Sequence, residues 1–160
     1  MHDSHGDSHD QRNPAADVIT RLFHAVDRHD LDTLEHCFAE DYVNETPVHP
    51  SRGFSGREQV RRNWATIFAA VPDITATIIQ SQRSPRMTWV ECEMTGIRVD
   101  GGRHLMRGVL IFGIDADHIH SARFYLEPVD SAGLSADEAV AAIVHQPAVH
   151  QPGQQGGRSS

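Results

Sequence analysis

The stretch Met106–Asp130, MRGVLIFGIDADHIHSARFYLEPVD, constrains this chain more than any other. It reads as two β-strands joined by a short polar turn. Leu105–Ile114 is apolar almost throughout, the pattern of a strand covered on both faces. Ile119–Glu127 alternates instead: Ala122, Phe124 and Leu126 share one face, and Arg123, Tyr125 and Glu127 the other. Asp115-Ala116-Asp117 supplies the turn, and Pro128, with no N–H to donate, ends the ladder. The hairpin delivers a tyrosine and a carboxylate, two residues apart, to one side of a sheet.

The formal net charge of -8 argues against a nucleic-acid partner, which needs a basic stripe. No apolar run approaches membrane length, and the first ten residues hold no hydrophobic signal segment. The expectation is a cytoplasmic protein with neither nucleic acid nor membrane as a partner. Cys37 and Cys92 sit in apolar patterns without CxxC spacing and are expected as buried free thiols; a disulfide between them is the alternative. One domain is expected over residues 13–145, between flexible tails at 1–12 and 146–160. His2, His5 and His9 in the first tail read as a solvated segment rather than a metal site. No metal is expected, since His118 and His120 would need further ligands and HExxH is absent; without GxSxG, Walker A or GxGxxG, serine hydrolase, nucleotide and Rossmann readings lack support, and no cofactor is expected.

Asn13-Pro14 opens a helix whose face is Val18, Ile19, Leu22, Phe23 and Val26. Asp30 caps a second helix, with Leu31, Leu34, Cys37 and Phe38 inward, that ends near Glu40-Asp41. Tyr42–Thr46 is a short extended piece and Val48–Phe54 a loop. Ser55-Gly56-Arg57-Glu58 reads as a capping box for a helix with Val60, Trp64, Ile67, Phe68 and Val71 inward. From Ile74 the period changes to two. A further strand carries Trp89, Glu91 and Glu93 on one face and Val90, Cys92 and Met94 on the other. Asp100-Gly101-Gly102 marks a hairpin. Ser135–Glu138 is a second capping box, opening a helix with Val140, Ile143 and Val144 inside. Helices followed by an antiparallel meander point to an α+β fold with helices on one face. The other face of Leu105–Ile114 then needs a cover, and a second copy of the sheet predicts a homodimer.

Several motifs in this order resemble a known family: FAEDYVNETP (38–47), SGREQVRRNWATIFAAVPDI (55–74), VECEMTG (90–96), RGVLIFGI (107–114) and ARFYLEPV (122–129). Over roughly residues 15–130 the chain is similar to the SnoaL-like group of the nuclear transport factor 2-like superfamily. Polyketide cyclases, ketosteroid isomerase and limonene epoxide hydrolase are its relatives. The resemblance implies a cone-shaped α+β barrel, with N-terminal helices packed on a curved, mostly antiparallel sheet. It also implies that Glu127 stands where the cyclases carry an aspartate acid/base and where the hydrolase carries a water-activating aspartate. Glu93 matches the hydrolase's second carboxylate, and Tyr42 and Asn44 its Tyr-x-Asn pair. Glu91 departs from the pattern, because the hydrolase has an arginine there; Arg107 or Arg123 would have to replace it.

Burial raises a carboxyl's pKa, and two neighbouring carboxyls titrate apart, which would separate an acid from a base. The expected function is therefore cyclase- or isomerase-type acid/base chemistry on a mostly apolar cyclic or polyketide-like small molecule. Glu127 and Glu93 are the candidate acid/base pair, with Tyr42 and Asn44 assisting. Trp64, Phe68, Trp89, Arg107, Arg123 and Tyr125 are candidates for the substrate pocket. A non-catalytic small-molecule-binding or interaction module is the first alternative, and epoxide hydrolysis the second. The plain reading beside these puts Glu127 and Glu93 in solvent or in pairs with Arg123 and Arg107. It makes Trp64 and Phe68 core residues, Asp73 a turn former, and His24, His36, His49 and His104 isolated surface residues.

Overall fold

The apolar stripe read on the first helix is what fastens it to the sheet. The computed structural model describes residues 14–145, with side chains from Val18 onward. Both tails and the Asn13 cap lie outside the described residues. Helix α1 (Pro14–Asp27) buries Val18, Ile19, Leu22, Phe23 and Val26. Helix α2 (Leu31–His36) starts at Asp30, whose carboxylate accepts from the Thr33 amide at 3.0 Å and the Thr33 hydroxyl at 2.6 Å. Those two bonds hold the Asp30 carboxyl below the usual carboxylate range. The helix stops well before Glu40-Asp41. Cys37 O accepts from Ile119 N at 2.9 Å, so sheet pairing replaces the helical ladder and strand β1 (Phe38–Glu45) begins.

The segment expected as a loop contains a two-residue strand, β2 (Phe54–Ser55), paired antiparallel with Val43 and Asn44. Its presence removes Ser55 as a cap. Helix α3 (Arg57–Ala70) has Gly56 at its N-cap, at φ 93° and without a side-chain cap bond. Gly56 N donates to Tyr42 O at 2.7 Å. The capping box expected at Ser55–Glu58 is thus corrected: strand pairing and a left-handed glycine make the turn. The second box, Ser135–Glu138, forms both reciprocal bonds.

Strands β3 (Thr75–Arg83), β4 (Met87–Ile97), β5 (Arg103–Asp115) and β6 (His118–Pro128) form the antiparallel meander. β6 then pairs parallel with β1, giving a mixed, curved sheet of order β2-β1-β6-β5-β4-β3. The architecture is α+β. Val90, Cys92, Leu110, Phe112, Ile114 and Ala122 share the inner face with the residues buried on α1. Cys37 and Cys92 are free and buried, and burial pushes the Cys92 thiol up to about 11. From Asp130 the chain forms a second compact unit carrying α4 (Ala136–Val144). Val140, Ile143 and Val144 are exposed there, not inside as their spacing suggested. No helix among the described residues is long and apolar enough to cross a membrane.

Gly108 sits opposite Cys92 on one side and Leu126 on the other. A Cβ at this position would lie 2.9 Å from Leu126 Cα and closer still to the Tyr125 carbonyl oxygen. Backbone on a central strand cannot step aside. Gly108→Ala is expected to lower stability by roughly 2–3 kcal/mol, read as a fall in urea midpoint at unchanged m-value.

Candidate functional site

Alternation along β1 sends Tyr42 and Asn44 inward, where they are 1% and 6% exposed. The Tyr42 hydroxyl donates to Asn44 Oδ1 at 2.9 Å. Burial pushes the Tyr42 phenol far above its ordinary range, so it stays protonated and remains a donor. With its carbonyl oxygen engaged, Asn44 retains its amide N–H groups. One turn along α3, Gln59 Nε2 donates to Asn63 Oδ1 at 2.8 Å and leaves Asn63 in the same condition.

These residues line a cavity of about 290 Å³ in the first unit. That volume is near the lower end of ligand pockets, roughly 300–1,000 Å³. Its wall is mainly apolar: Phe38, Phe54, Val60, Trp64, Ile67, Ile74, Met94, Met106, Phe124 and Leu126. Tyr42, Asn44, Thr46, Arg52, Asn63 and His104 supply the polar groups. A smaller void of about 30 Å³ adjoins it, sharing Phe38, Trp64, Met94 and Phe124 and reaching Leu22 and Phe23 of α1. No aspartate or glutamate lines either space.

His104, read from the sequence as a surface residue, belongs to this wall. Burial, and then the Arg98 charge, hold its imidazole below the usual 6.5. Its side of β5 follows from register rather than from periodicity, since this strand is apolar on both faces. Stepping back by twos from the buried Phe112 and Leu110 along β5 reaches Gly108, Met106 and His104. Arg52 lies in the turn between β1 and β2, where no periodicity marks it.

The carboxylates are elsewhere. On β6 the apolar face of Ala122, Phe124 and Leu126 turns inward, which sends Arg123, Tyr125 and Glu127 to the opposite face. Glu127 has a side chain 44% exposed, with Oε1 at 3.0 Å from His49 Nε2. Glu93 lies on the same outer face, paired with Arg107, whose Nε donates at 3.0 Å and whose Nη2 donates as well. Arg123 Nε donates to Glu45 at 3.1 Å, and Trp89 and Tyr125 are exposed. The placement expected for Glu127, Glu93, Trp89, Arg107, Arg123 and Tyr125 is therefore corrected. Burying ionised groups costs several kcal/mol unless they are paired, whereas a phenylalanine or leucine stabilises by about 1.5–3 kcal/mol when buried. Tyr42, Asn44 and Trp64 do stand together in the cavity wall. Phe68 stacks on His29 with ring centres 4.7 Å apart and leans on Trp64 at 5.4 Å, supporting the wall from behind. Asp73 does more than turn the chain: it accepts from Ile97 N at 2.7 Å.

A family model for the SnoaL-like domain matches residues 19–122. Among curated proteins none matches this chain. Its solved neighbours include wild-type IdmH, a proposed polyketide cyclase from Streptomyces antibioticus: 21% identity, TM-score 0.61, covering 73% of this chain and 92% of that one. RV0760c from Mycobacterium tuberculosis, in complex with estradiol-17beta-hemisuccinate, is 23% identical at TM-score 0.62, covering 71% and 94%. A protein of ketosteroid isomerase-like fold from Catenulispora acidiphila, in complex with trimethylamine, is 18% identical at TM-score 0.60, covering 68% and 84%. At such identities the likeness establishes the fold.

The depressed His104 value has a sign that stability can report. As pH falls through 6.5 the unfolded chain takes up this proton first, so the His104 contribution to stability drops, levelling off once the folded state is protonated too. Proton NMR should place the His104 midpoint below 6.5, and His104→Asn should flatten that part of the stability–pH curve.

Proposed function

The chain belongs to the SnoaL-like domain family, and from that premise we propose that it is a small-molecule-binding protein whose cavity takes a mostly apolar, ring-bearing ligand. One observation carries this reading: an aromatic and aliphatic hollow with a few convergent polar groups, and no carboxylate in its wall. An acid/base group must reach its proton at roughly 2.6–3.2 Å, directly or through one water. Glu127 and Glu93, bound to His49 and Arg107 on the outer face, are poorly placed for that. Carboxylate-driven cyclisation and epoxide hydrolysis thus draw less support than binding. The M. tuberculosis neighbour, crystallised with a steroid ester, supports a ring-shaped occupant.

A second reading rests on His104. Its lowered pKa keeps the imidazole neutral near pH 7, able to accept a proton from a carbon beside a carbonyl. The amide N–H groups of Asn44 and Asn63 are donors of the type that steadies the oxyanion so formed. This is isomerase- or cyclase-type chemistry without a carboxylate.

The outer sheet face supports self-association. Met87, Trp89 and Tyr125 are exposed on it, next to Val109 and Ile111, and the ion pairs of Glu93 and Arg123 flank them. A second copy seated there would cover this apolar strip.

Titration with a panel of apolar ring compounds should shift Trp64 emission, and Trp64→Ala should weaken binding about tenfold, the loss of one buried aromatic contact. Glu127→Gln should leave affinity and any turnover within about twofold. Loss of turnover in Glu127→Gln would return catalysis to the outer face, and a panel that never perturbs Trp64 would remove the binding proposal. By sedimentation, Trp89→Lys should convert a dimer to a monomer; a wild-type monomer would refute the assembly.

A further inference from the structure

We propose that the cavity selects ligands with an anionic end, a carboxylate on an apolar ring system. The proposal rests on the small-molecule reading above and sharpens it. It follows from what each polar group has left to offer. Asn44 and Asn63 both line the cavity, and both have their carbonyl oxygen engaged, by the Tyr42 hydroxyl and the Gln59 amide. Each therefore presents N–H donors. Arg52 adds a permanent positive charge and a planar fork of five N–H donors.

Arg52 is also uncommitted. Arg57, Arg61, Arg107 and Arg123 each hold a carboxylate of this chain. Arg52 makes no ion pair and no side-chain hydrogen bond among the described residues. The wall holds no aspartate or glutamate, so nothing in it neutralises the Arg52 charge at the cavity's edge. An amine would meet that charge and find few acceptors. A ketone or ester would engage the amides but leave the guanidinium without an opposite charge. A carboxylate satisfies both, and its two oxygens match the guanidinium fork. Because Arg52 is exposed, solvent weakens the attraction. A preference of about tenfold is expected rather than the hundredfold of a sealed pair.

Calorimetric titration of the full chain with 2-naphthoate and with methyl 2-naphthoate tests this. At low salt the acid should bind about tenfold more tightly than the ester, and added salt should narrow the gap. Arg52→Gln should bring the ratio to within twofold, while Arg52→Lys, which keeps the charge but not the fork, should retain part of it. Equal binding of acid and ester, or a ratio untouched by Arg52→Gln, overturns the anion preference and leaves the binding cavity standing. Silence from both probes while uncharged ring compounds shift Trp64 emission also overturns it. Silence from every ring compound overturns the cavity reading as well.

Discussion

The interior depends on which side of β6 faces in. This strand is hydrogen-bonded on both flanks, to β5 and to β1. Ala122, Phe124 and Leu126 go inward because burying them stabilises, while turning Arg123 and Glu127 inward would strip two charges of water. Strict two-residue alternation leaves no intermediate choice. The choice then propagates by register. Leu126, Phe124 and Ala122 stand opposite Gly108, Leu110 and Phe112, so the β5 inner face is set; Asn44 stands opposite Ala122, so the β1 face follows. The cavity and its polar groups are consequences of that one orientation.

Local patterns in this chain were readable, and long-range ones less so. The stripe of α1, the Asp30 cap, the Ser135 box and the Asp100-Gly101-Gly102 turn depend on neighbours a few residues away, and each formed as read. Parallel pairing of β1 with β6 joins segments more than seventy residues apart, as the contact of Arg123 with Glu45 shows, and leaves no local trace. The same pairing cut α2 short, and the pairing of β2 displaced the Ser55 cap.

The outward position of the carboxylates has a similar cause. Both faces of β6 are visible in the sequence, but the family position of a carboxylate does not say which of them turns inward, whereas the cost of burial does. Position-by-position likeness carries a residue's number without its side of the sheet. Asking which face is apolar would have placed Glu127 outside; β5 is apolar on both faces, so the same question does not decide His104, whose side is set by the register with β6. Arg52 had no equivalent signal, since a turn has no period.

Removing carboxylates from the wall changes the proton chemistry the cavity can support, and does not abolish it. Desolvation favours the neutral form of any titrating group, so it raises a carboxyl and lowers an imidazole toward the same middle range. A buried glutamate therefore holds its proton more readily, and a partly buried histidine gives its proton up more readily. They differ in the charge left behind. A carboxylate base ends neutral, whereas a histidine base at His104 would end as a cation, and Arg98 already contributes to its lowered pKa. Asp100 offsets part of that charge by pairing with Arg98 at 3.1 Å. An imidazolium formed there would still hold its proton less firmly than a free one. If His104 acts as the second reading proposes, such a group would suit moving a proton from one carbon to another better than keeping a water activated through a hydrolysis, the isomerase-like form of the chemistry rather than the hydrolytic one.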